Sequence, residues 1–266
     1  MRIQINAFDD DRIAHLPDDQ LSISELRGRA ASNFYQCTVQ SWDHARQLMD
    51  RALRLNPVDP MALAMHAESV VMISAARYEI LDAEQIEQLA NQLNRAVELS
   101  PRSDYIFTAR AFFRIFVLRD VIGAIRDSER ALSLNPGYHI AYDTFGMAHL
   151  LAGDTGNAIR DLQKAVSLSA TDPLLPHRLF LLAIAYHFEN CDADALDTID
   201  RAILLGPNQR NFHILKMVIC RAIGDADAES DAEVRASQLP WEPSIMAPRL
   251  QLPEDKADFV KLFSPN

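Results

Sequence analysis

Glycine and cysteine are both scarce in this chain, and each scarcity excludes a class of site. Only 8 of the 266 residues are glycine, which leaves little backbone for the glycine-rich loops that cradle phosphates. The 3 cysteines, Cys37, Cys191 and Cys220, are far apart and include no Cys-x-x-Cys pair. They predict no disulfide framework, and a reducing compartment is the simpler interpretation.

Basic residues are fewer than acidic ones, and the chain has no long apolar run. The chain has 26 lysines and arginines against 37 aspartates and glutamates, for a net charge of −11. An acidic surface repels phosphate groups, so we expect no nucleic-acid partner and no docking on anionic membranes. No apolar run approaches the length of a membrane span, and the first residues are too polar for a signal peptide. We therefore predict a cytoplasmic protein.

The motifs that carry catalysis are missing as well. The sequence contains no Gly-x-x-x-x-Gly-Lys phosphate loop, no Gly-x-Ser-x-Gly elbow and no His-Glu-x-x-His pair. No set of nucleophile, base and oxyanion donors can be assembled from it. We therefore predict a protein that is not an enzyme, with no catalytic residues, no cofactor and no metal.

Some acidic and histidine residues have spacings that resemble metal ligands, but each set is incomplete. Asp225, Asp227 and Glu229 alternate like calcium ligands, yet Ser230 stands where such a loop needs glycine. Two further pairs have one-turn spacing without a third ligand: His139 with Asp143, and His187 with Cys191. A lone pair is weak evidence for a metal site. Asp192 and Asp194 are better explained as acids at the start of a helix, where a negative charge interacts favourably with the helix dipole, than as metal ligands.

The chain is rich in one short phrase, which occurs five times. The copies are Arg51-Ala-Leu-Arg-Leu-Asn-Pro57, Arg95-Ala-Val-Glu-Leu-Ser-Pro101, Arg130-Ala-Leu-Ser-Leu-Asn-Pro136, Lys164-Ala-Val-Ser-Leu-Ser169 and Arg201-Ala-Ile-Leu-Leu-Gly-Pro207. Their first residues are 44, 35, 34 and 37 positions apart, and a frayed copy begins at Arg235. A period near 34 is typical of solenoids, in which each unit buries its apolar face against its neighbours.

Residues 137–173 show one repeat most clearly. Tyr142, Phe145 and Ala148 recur with the period of a helix, and a Gly-Asp-Thr-Gly turn at residues 153–156 interrupts that pattern. A second helical stripe follows, made of Ala158, Leu162, Ala165, Val166 and Leu168. The pattern predicts an antiparallel helical hairpin. Gly146 and Ala158 are small where its two helices should approach most closely, so a larger residue there would overpack the contact.

These residues resemble the tetratricopeptide repeat, which has an aromatic residue, Leu-Gly and a second aromatic residue, then Ala, Phe, Ala and Pro at set places. The clearest repeat matches through Tyr142, Phe145, Gly146, His149, Ala158, Leu162 and Ala165. The next repeat matches through Leu179, Leu182, Ala183, Tyr186, Ala195, Ile199, Ala202 and Pro207. His149 replaces the usual tyrosine and is best explained as a core substitute for it.

The resemblance implies an all-α fold: a right-handed α-solenoid of about six helical hairpins with a C-terminal cap. We expect an N-terminal extension at residues 1–20, the repeat array at residues 21–240 and a capping segment at residues 241–266. The second repeat carries about ten extra residues, which we place in a longer turn near Tyr78. The degenerate last repeat, residues 208–240, is typical of a terminal unit.

The two ends of the array carry a narrower likeness. Glu25-Leu-Arg-Gly-Arg29 opens the array, and Pro243-Ser-Ile-Met-Ala-Pro-Arg-Leu-Gln-Leu-Pro253 follows it, ahead of Asp255-Lys-Ala-Asp-Phe-Val260. Together these stretches look like the C-terminal repeat region of bacterial class III adenylate cyclases and of some winged-helix regulators. In those families a catalytic or DNA-binding domain precedes the repeats. Only about twenty residues precede them here.

In tetratricopeptide arrays the first helix of each hairpin lines a concave groove, and here that face carries an apolar strip. The strip consists of Phe112, Ile115, Phe116, Met147, Leu150, Leu151, Phe180, Ile184 and Phe188. One interpretation is a groove that binds a peptide or helix of a partner protein. The other is a cover formed by the chain's own tail, because residues 254–263 can form a short amphipathic helix. Both interpretations stay open, and a displaceable tail would combine them.

The sequence thus favours a non-enzymatic protein–protein interaction scaffold in bacterial-type signalling or regulation. The alternative is the regulatory C-terminal arm of an adenylate cyclase or transcriptional regulator whose N-terminal domain is absent here. The expected partner is another protein or peptide, or the chain's own C-terminal tail. Homo-oligomerisation through an exposed repeat edge is compatible with the sequence and is not predicted by it.

Overall fold

The computed structural model describes residues 16–77 and 79–240, and every regular element in them is helical. A single 3-10 turn, Asp18–Gln20, comes first. The α-helices of these residues are α1 (Ile23–Phe34), α2 (Val39–Leu55), α3 (Pro60–Ala76), α4 (Ala83–Leu99), α5 (Asp104–Phe113), α6 (Val121–Leu134), α7 (His139–Leu151), α8 (Thr155–Leu168), α9 (Leu175–Phe188), α10 (Asp192–Leu205), α11 (Arg210–Ile223) and α12 (Ala226–Gln238). The predicted all-α class is confirmed.

Short polar side chains begin most of these helices. Ser22, Thr38 and Asp82 each accept a backbone N–H from the first turn, and a side chain in that turn bonds back to their own N–H. Such reciprocal capping boxes satisfy two N–H groups that the helix itself leaves free. Single caps of the same kind begin five further helices, from Asp59, Ser103, Asp120, Asp154 and Asp225. Each cap contributes about 1 kcal/mol to helix stability.

The helices form two compact units that divide after Leu118. In the first unit, α1 and α2 form one antiparallel hairpin and α3 and α4 form the next, while α5 packs against both α3 and α4. A π-helical turn, Arg114–Leu118, follows α5 directly. The core of the first hairpin includes Leu26, Ala45 and Met49, none of which has measurable exposure. Each hairpin of this unit therefore completes its core against the next one.

The second unit repeats the same arrangement. Here α6 packs against α7, and three hairpins follow: α7 with α8, α9 with α10, and α11 with α12. Successive hairpins contact each other through α8 with α9 and through α10 with α11. This is the stacking that the repeat period predicts, because a lone hairpin cannot cover its own apolar side.

The repeated phrase forms the last turn of α2, α4, α6, α8 and α10. Its alanine has no exposed surface in any copy; these residues are Ala52, Ala96, Ala131, Ala165 and Ala202. The residue after the last leucine of the phrase leaves the helical conformation. These residues are Asn56, Ser100, Asn135, Ser169 and Gly206. A proline follows four of them and keeps the preceding residue out of the helix. The phrase therefore encodes a close helix contact and then a stop.

Helices α3, α7 and α9 are more enclosed than the even-numbered helices α2, α4 and α8. In α9, every residue from 178 to 185 is buried, which covers more than two full turns. Helices α3 and α7 are also apolar on most sides, whereas α2, α4 and α8 have one buried stripe and an exposed polar face. A helix that is apolar all round is an enclosed one. None of the helices in the described residues has the length and apolar character to cross a membrane.

The close approach predicted at Gly146 is confirmed. A Cβ atom added to Gly146 on α7 would lie 2.6 Å from Leu162 Cγ and 3.4 Å from the carbonyl oxygen of Ala158 on α8. Leu162 and Ala158 have no exposed surface, so neither has room to move away. Glycine at position 146 is therefore what allows α7 and α8 to pack at this distance.

Replacing Gly146 with alanine is expected to lower the free energy of unfolding by about 1–3 kcal/mol, because the new methyl overpacks the contact with Leu162. Gly156→Ala is the matched control, since a Cβ at Gly156 in α8 would meet nothing within 4 Å. That control should be neutral or stabilising by up to about 1 kcal/mol, because alanine favours a helix over glycine. Urea unfolding monitored by circular dichroism measures both, and equal effects of the two substitutions would contradict the packing argument.

A left-handed residue precedes five of the six even-numbered helices in the described residues. Two of these residues are glycines, Gly153 (φ 76°) and Gly224 (φ 85°). The other three are Cys37, Arg119 and Asn190, with φ of 51°, 57° and 60°. Each stands immediately before the residue that caps the following helix. The short turn needs this conformation to reverse the chain, although non-glycine residues adopt it at a cost.

The structure adds detail to the predicted layout at two places in the first unit. Residues 16–20, placed in the N-terminal extension, are docked on the first hairpin: Arg29 pairs with Asp18 and donates to the carbonyl oxygen of Leu16 at 2.9 Å. The extra residues of the second repeat are not confined to a turn near Tyr78. They lengthen both helices, because α3 and α4 have 17 residues each whereas α7 and α8 have 13 and 14.

Candidate functional site

The predicted apolar strip is divided between the two units, and most of it is buried. In the first unit, Ile115 and Phe116 are 1 % and 2 % exposed. Phe112 is half-buried, with its ring centroid 4.3 Å from that of Phe116. The expected exposure is therefore wrong for Ile115 and Phe116, because the turn that carries them packs against α3. Phe112 is the accessible member of this part of the strip.

The second unit buries all but one of its strip residues. The buried ones are Met147, Leu150, Phe180, Ile184 and Phe188. Phe180 stacks on Phe212 of α11, with the ring centroids 5.3 Å apart. The expected exposure is wrong for these five because α7 and α9 are enclosed inner helices. Leu151, at the end of α7, is half-buried. The tail of the second interpretation, residues 254–263, lies outside the described residues.

A buried ionic cluster connects α7 with α9. Arg178 is 2 % exposed; its Nε donates to Asp143 Oδ2 at 2.6 Å, and its Nη1 lies 3.1 Å from Asp172 Oδ1. His139 Nε2 lies 2.8 Å from Asp172 Oδ2. The backbone N–H of Leu174 donates to Asp172 Oδ1 at 2.8 Å. The cluster therefore joins two successive inner helices to the loop between α8 and α9.

The two carboxylates of this cluster are perturbed in opposite directions. Burial raises the pKa of Asp143 to about 6, although the charge of Arg178 opposes the change. Burial acts the same way on Asp172, but the hydrogen bonds from His139 and Leu174 and the charge of Arg178 hold its pKa well below the usual range. Both Nη atoms of Arg178 are buried without an aligned hydrogen-bond acceptor. We interpret the cluster as a structural clamp, because no part of the guanidinium is open to a ligand.

Glu68, on α3 in the first unit, is an acid whose pKa is raised. The hydroxyl of Tyr105 on α5 donates to Glu68 Oε2. Burial raises the pKa of Glu68 to about 7, and the hydrogen bond from Tyr105 opposes the change. Glu68 is the single acidic or basic residue of α3 apart from His66. A carboxyl group in such a place favours its protonated form.

Replacing Glu68 with glutamine is expected to change how stability depends on pH. The pKa of Glu68 in the folded state lies above the ordinary value, so the folded state binds this proton more tightly than the unfolded state does. The stability that comes from binding the proton is lost as pH rises from about 5 to about 8. Relative to the variant, the native protein should lose roughly 2 kcal/mol of unfolding free energy over that range. Urea unfolding at both pH values measures the difference. Glu98→Gln is the control, because Glu98 is exposed and pairs with Arg95; identical pH profiles for the native protein and Glu68→Gln would contradict the assignment.

His139, His187 and Asp225, whose spacings resemble those of metal ligands, have other partners. His139 pairs with Asp172, and His187 Nδ1 lies 2.5 Å from Asp192 Oδ1. Asp225 caps α12 by accepting the backbone N–H of Ala228 at 3.0 Å. Across residues 16–77 and 79–240, no group of three or more histidine, cysteine, aspartate or glutamate residues is arranged to hold a metal ion.

His149 has the role expected of a core substitute. Its ring centroid lies 4.3 Å from that of Phe145, and its Nδ1 lies 2.8 Å from Asp161 Oδ2 on α8. The aspartate supplies the hydrogen bond that an imidazole needs when it is largely enclosed. The substitution therefore keeps an aromatic ring between α7 and α8 and adds a polar contact across the hairpin.

A cleft of about 260 Å³ opens between α8 and α10, with α9 as its floor. Its polar lining includes Gln163 from α8, Tyr186 from α9 and the charged side chains Asp194, Asp197 and Arg201 from α10. Gln163 Nε2 donates to the Tyr186 hydroxyl at 2.6 Å, which connects the floor to one wall. The cleft lies on the side of the hairpins where the even-numbered helices expose their polar faces, so it is open to a partner.

Sequence reasoning did not single out Arg178, Glu68 or the cleft. For the first two, a signal was present: each is the one acidic or basic residue, apart from histidines, of an otherwise apolar helix. A charge in that setting needs a partner, because burying it alone is costly. The cleft had no such signal. Its lining comes from three helices, and only their packing brings those residues together.

Comparison with known proteins supports the fold. No protein-family model and no curated protein sequence matches the chain. Among solved structures, PilW, a widely conserved type IV pilus biogenesis factor, is 19 % identical, with a TM-score of 0.63 over 81 % of this chain and 92 % of that chain. PilF of Pseudomonas aeruginosa is 14 % identical, with a TM-score of 0.57 over 81 % of this chain and 92 % of that one.

A third structure is described as a tetratricopeptide-repeat protein. TTC0263 of Thermus thermophilus is 19 % identical to this chain, with a TM-score of 0.58, and the match covers 76 % of this chain and 99 % of that chain. None of these three structures supports the narrower likeness to adenylate cyclases or winged-helix regulators. With its helical hairpins and its buried repeat alanines, the chain has the fold of the tetratricopeptide-repeat proteins.

Proposed function

We propose that the chain is a non-enzymatic scaffold that binds a peptide or helical segment of a partner protein. The supporting observation is the series of stacked hairpins, whose enclosed inner helices hold the exposed outer helices in fixed positions. Such an array presents its surfaces rigidly, so a partner segment binds with little loss of conformational entropy on the scaffold's side. A role in bacterial signalling or regulation belongs to this proposal.

Each unit has its own inner-face site in this proposal, and each site is smaller than the predicted strip. Phe112 is the accessible apolar member in the first unit and Leu151 is the one in the second, because the other strip residues are core residues. Aromatic and aliphatic anchors of this kind supply much of the affinity at protein interfaces. The regulatory-arm alternative has no support among the solved structures, so we give it no separate site.

Affinity capture from a lysate of the source organism tests the scaffold proposal. Phe112→Ser and Leu151→Ser, made separately, should each reduce at least one captured protein while leaving the helical content unchanged. Leu204→Ser is the matched control, because Leu204 is 82 % exposed on α10 and is not part of the strip. If neither substitution changes what is captured, or if the control removes the same proteins, both inner-face sites are wrong.

A further inference from the structure

We propose that the cleft between α8 and α10 binds a lysine side chain presented by a partner protein. The inference rests on the proposed scaffold function and gives one surface of the scaffold a defined chemistry. Its support comes from four properties of the lining: carboxylates that lack partners, a hydroxyl without a partner at the cleft surface, an apolar floor, and a volume suited to one long side chain.

The unpaired carboxylates of α10 are those that line the cleft. Two of its four aspartates have partners: Asp192 pairs with a histidine of α9, and Asp200 accepts from a lysine of α11 at 2.7 Å. Asp194 and Asp197 are exposed, line the cleft, and form no hydrogen bond or ion pair with another residue of the described chain. Two free carboxylates one turn apart repel each other, and a cation placed between them removes that repulsion.

Thr198 adds an acceptor deeper in the same cleft. It is 4 % exposed and lines the cleft beside Asp197, yet no hydrogen bond satisfies its hydroxyl within the described residues. Most of the Thr198 side chain is enclosed but its hydroxyl oxygen is not, so a group that enters the cleft can reach this oxygen as an acceptor. A lysine ammonium group has three N–H donors, each of which needs an acceptor. Asp194, Asp197 and Thr198 together offer it that number of acceptors.

The floor and size of the cleft suit the stem of a lysine. Leu182 on the α9 floor is 4 % exposed and Val166 on the α8 wall is half-buried, so the cleft is apolar where its polar lining ends. A lysine side chain covers apolar surface with its four methylene groups while its head stays with the acceptors. The volume of about 260 Å³ is below the range of pockets that enclose a drug-sized molecule or cofactor.

The charges in and around the cleft favour a partner segment that places a single lysine in the cleft over a segment with several consecutive basic residues. The net charge of −11 attracts basic partners at long range and raises the rate at which they are encountered. Arg201 also lines the cleft, one turn beyond Asp197, and it has no ion-pair partner in the described residues. Its guanidinium repels a second cation at that end of the cleft and attracts an acidic residue of the partner there.

Nuclear magnetic resonance titration of the full chain tests the proposal with two capped tetrapeptides. One is acetyl-Gly-Lys-Leu-Gly-amide, and in the other norleucine replaces the lysine. The lysine peptide should shift the backbone amides of residues 182–186 and 194–201, with at least a five-fold lower dissociation constant than the norleucine peptide. In Asp194→Asn/Asp197→Asn the two peptides should bind with equal affinity. Raising the salt concentration from 50 to 300 mM should weaken binding of the lysine peptide several-fold.

Asp200→Asn is the matched control, because Asp200 lies on the same helix but pairs with Lys216. It should leave the preference for the lysine peptide unchanged. The proposal fails if the lysine peptide causes no shifts, if it shifts other residues instead, or if the double variant keeps the preference. The scaffold function is judged separately, because captured partners that depend on Phe112 or Leu151 would still support it after the cleft had been rejected.

Discussion

Replacing Arg178 with methionine is expected to lower the free energy of unfolding by about 3–5 kcal/mol. Methionine keeps the length and apolar character of the side chain but removes the charge that faces Asp143 and Asp172. Both carboxylates would then remain in a largely enclosed place without their cation. Breaking one side of a buried ion pair costs this much because the remaining charge has lost both its solvent and its partner.

The loss should depend on pH in a defined direction. Burial already raises the pKa of Asp143 to about 6 with Arg178 in place, and without the arginine this pKa should rise further. At pH 5, Asp143 of the variant is therefore protonated, and burying a neutral carboxyl group costs little stability. At pH 8 the folded variant must either bury the charged carboxylate or bind a proton that is scarce in solution, and either one lowers its stability. The destabilisation caused by Arg178→Met should be larger at pH 8 than at pH 5, as measured by urea unfolding at both values.

Lys216→Met is the control for this experiment, because the ion pair between Lys216 and Asp200 belongs to the same unit but lies at the surface. An exposed pair contributes little, so this substitution should cost no more than about 1 kcal/mol at either pH. If Arg178→Met costs no more than the control, the cluster does not hold α9 against α7 and its burial has no energetic consequence.

The hairpins could be predicted from the sequence because their signals are local. A phrase with a small residue, a leucine and a helix stop recurs near a 34-residue period, and the alanine of every copy has no exposed surface. The contact at Gly146 could be predicted for the same reason, since glycine within an apolar helix indicates a close approach. Glycine also marks two of the left-handed turns, whereas Cys37, Arg119 and Asn190 carry no comparable signal.

The candidate sites could not be predicted because they depend on what lies over each helix. Periodicity shows that α9 is apolar, but it does not show that residues 178–185 are buried on every side. The sequence therefore predicts the strip at a surface that the protein encloses. The partners in the ionic cluster are also distant along the chain, with Asp143 35 positions before Arg178. The cleft combines side chains of three helices, none of which forms a motif alone.

Replacing Phe180 with alanine is expected to lower the free energy of unfolding by about 3–5 kcal/mol. Phe180 is 2 % exposed and stacks on Phe212, so the substitution removes buried apolar surface and leaves a cavity between α9 and α11. The change would also remove an aromatic pair that contributes about 1 kcal/mol beyond its buried area. Urea unfolding monitored by circular dichroism gives the value directly.

Leu151→Ala is the comparison, because Leu151 belongs to the same predicted strip and the same unit but is half-buried. It should cost roughly 1–2 kcal/mol, since less apolar surface leaves the protein interior. The ratio of the two losses separates a core residue from a groove residue. If Phe180→Ala leaves stability within about 1 kcal/mol of the native value and yet removes a captured partner, Phe180 belongs to a binding groove and the assignment of α9 as an enclosed inner helix is wrong.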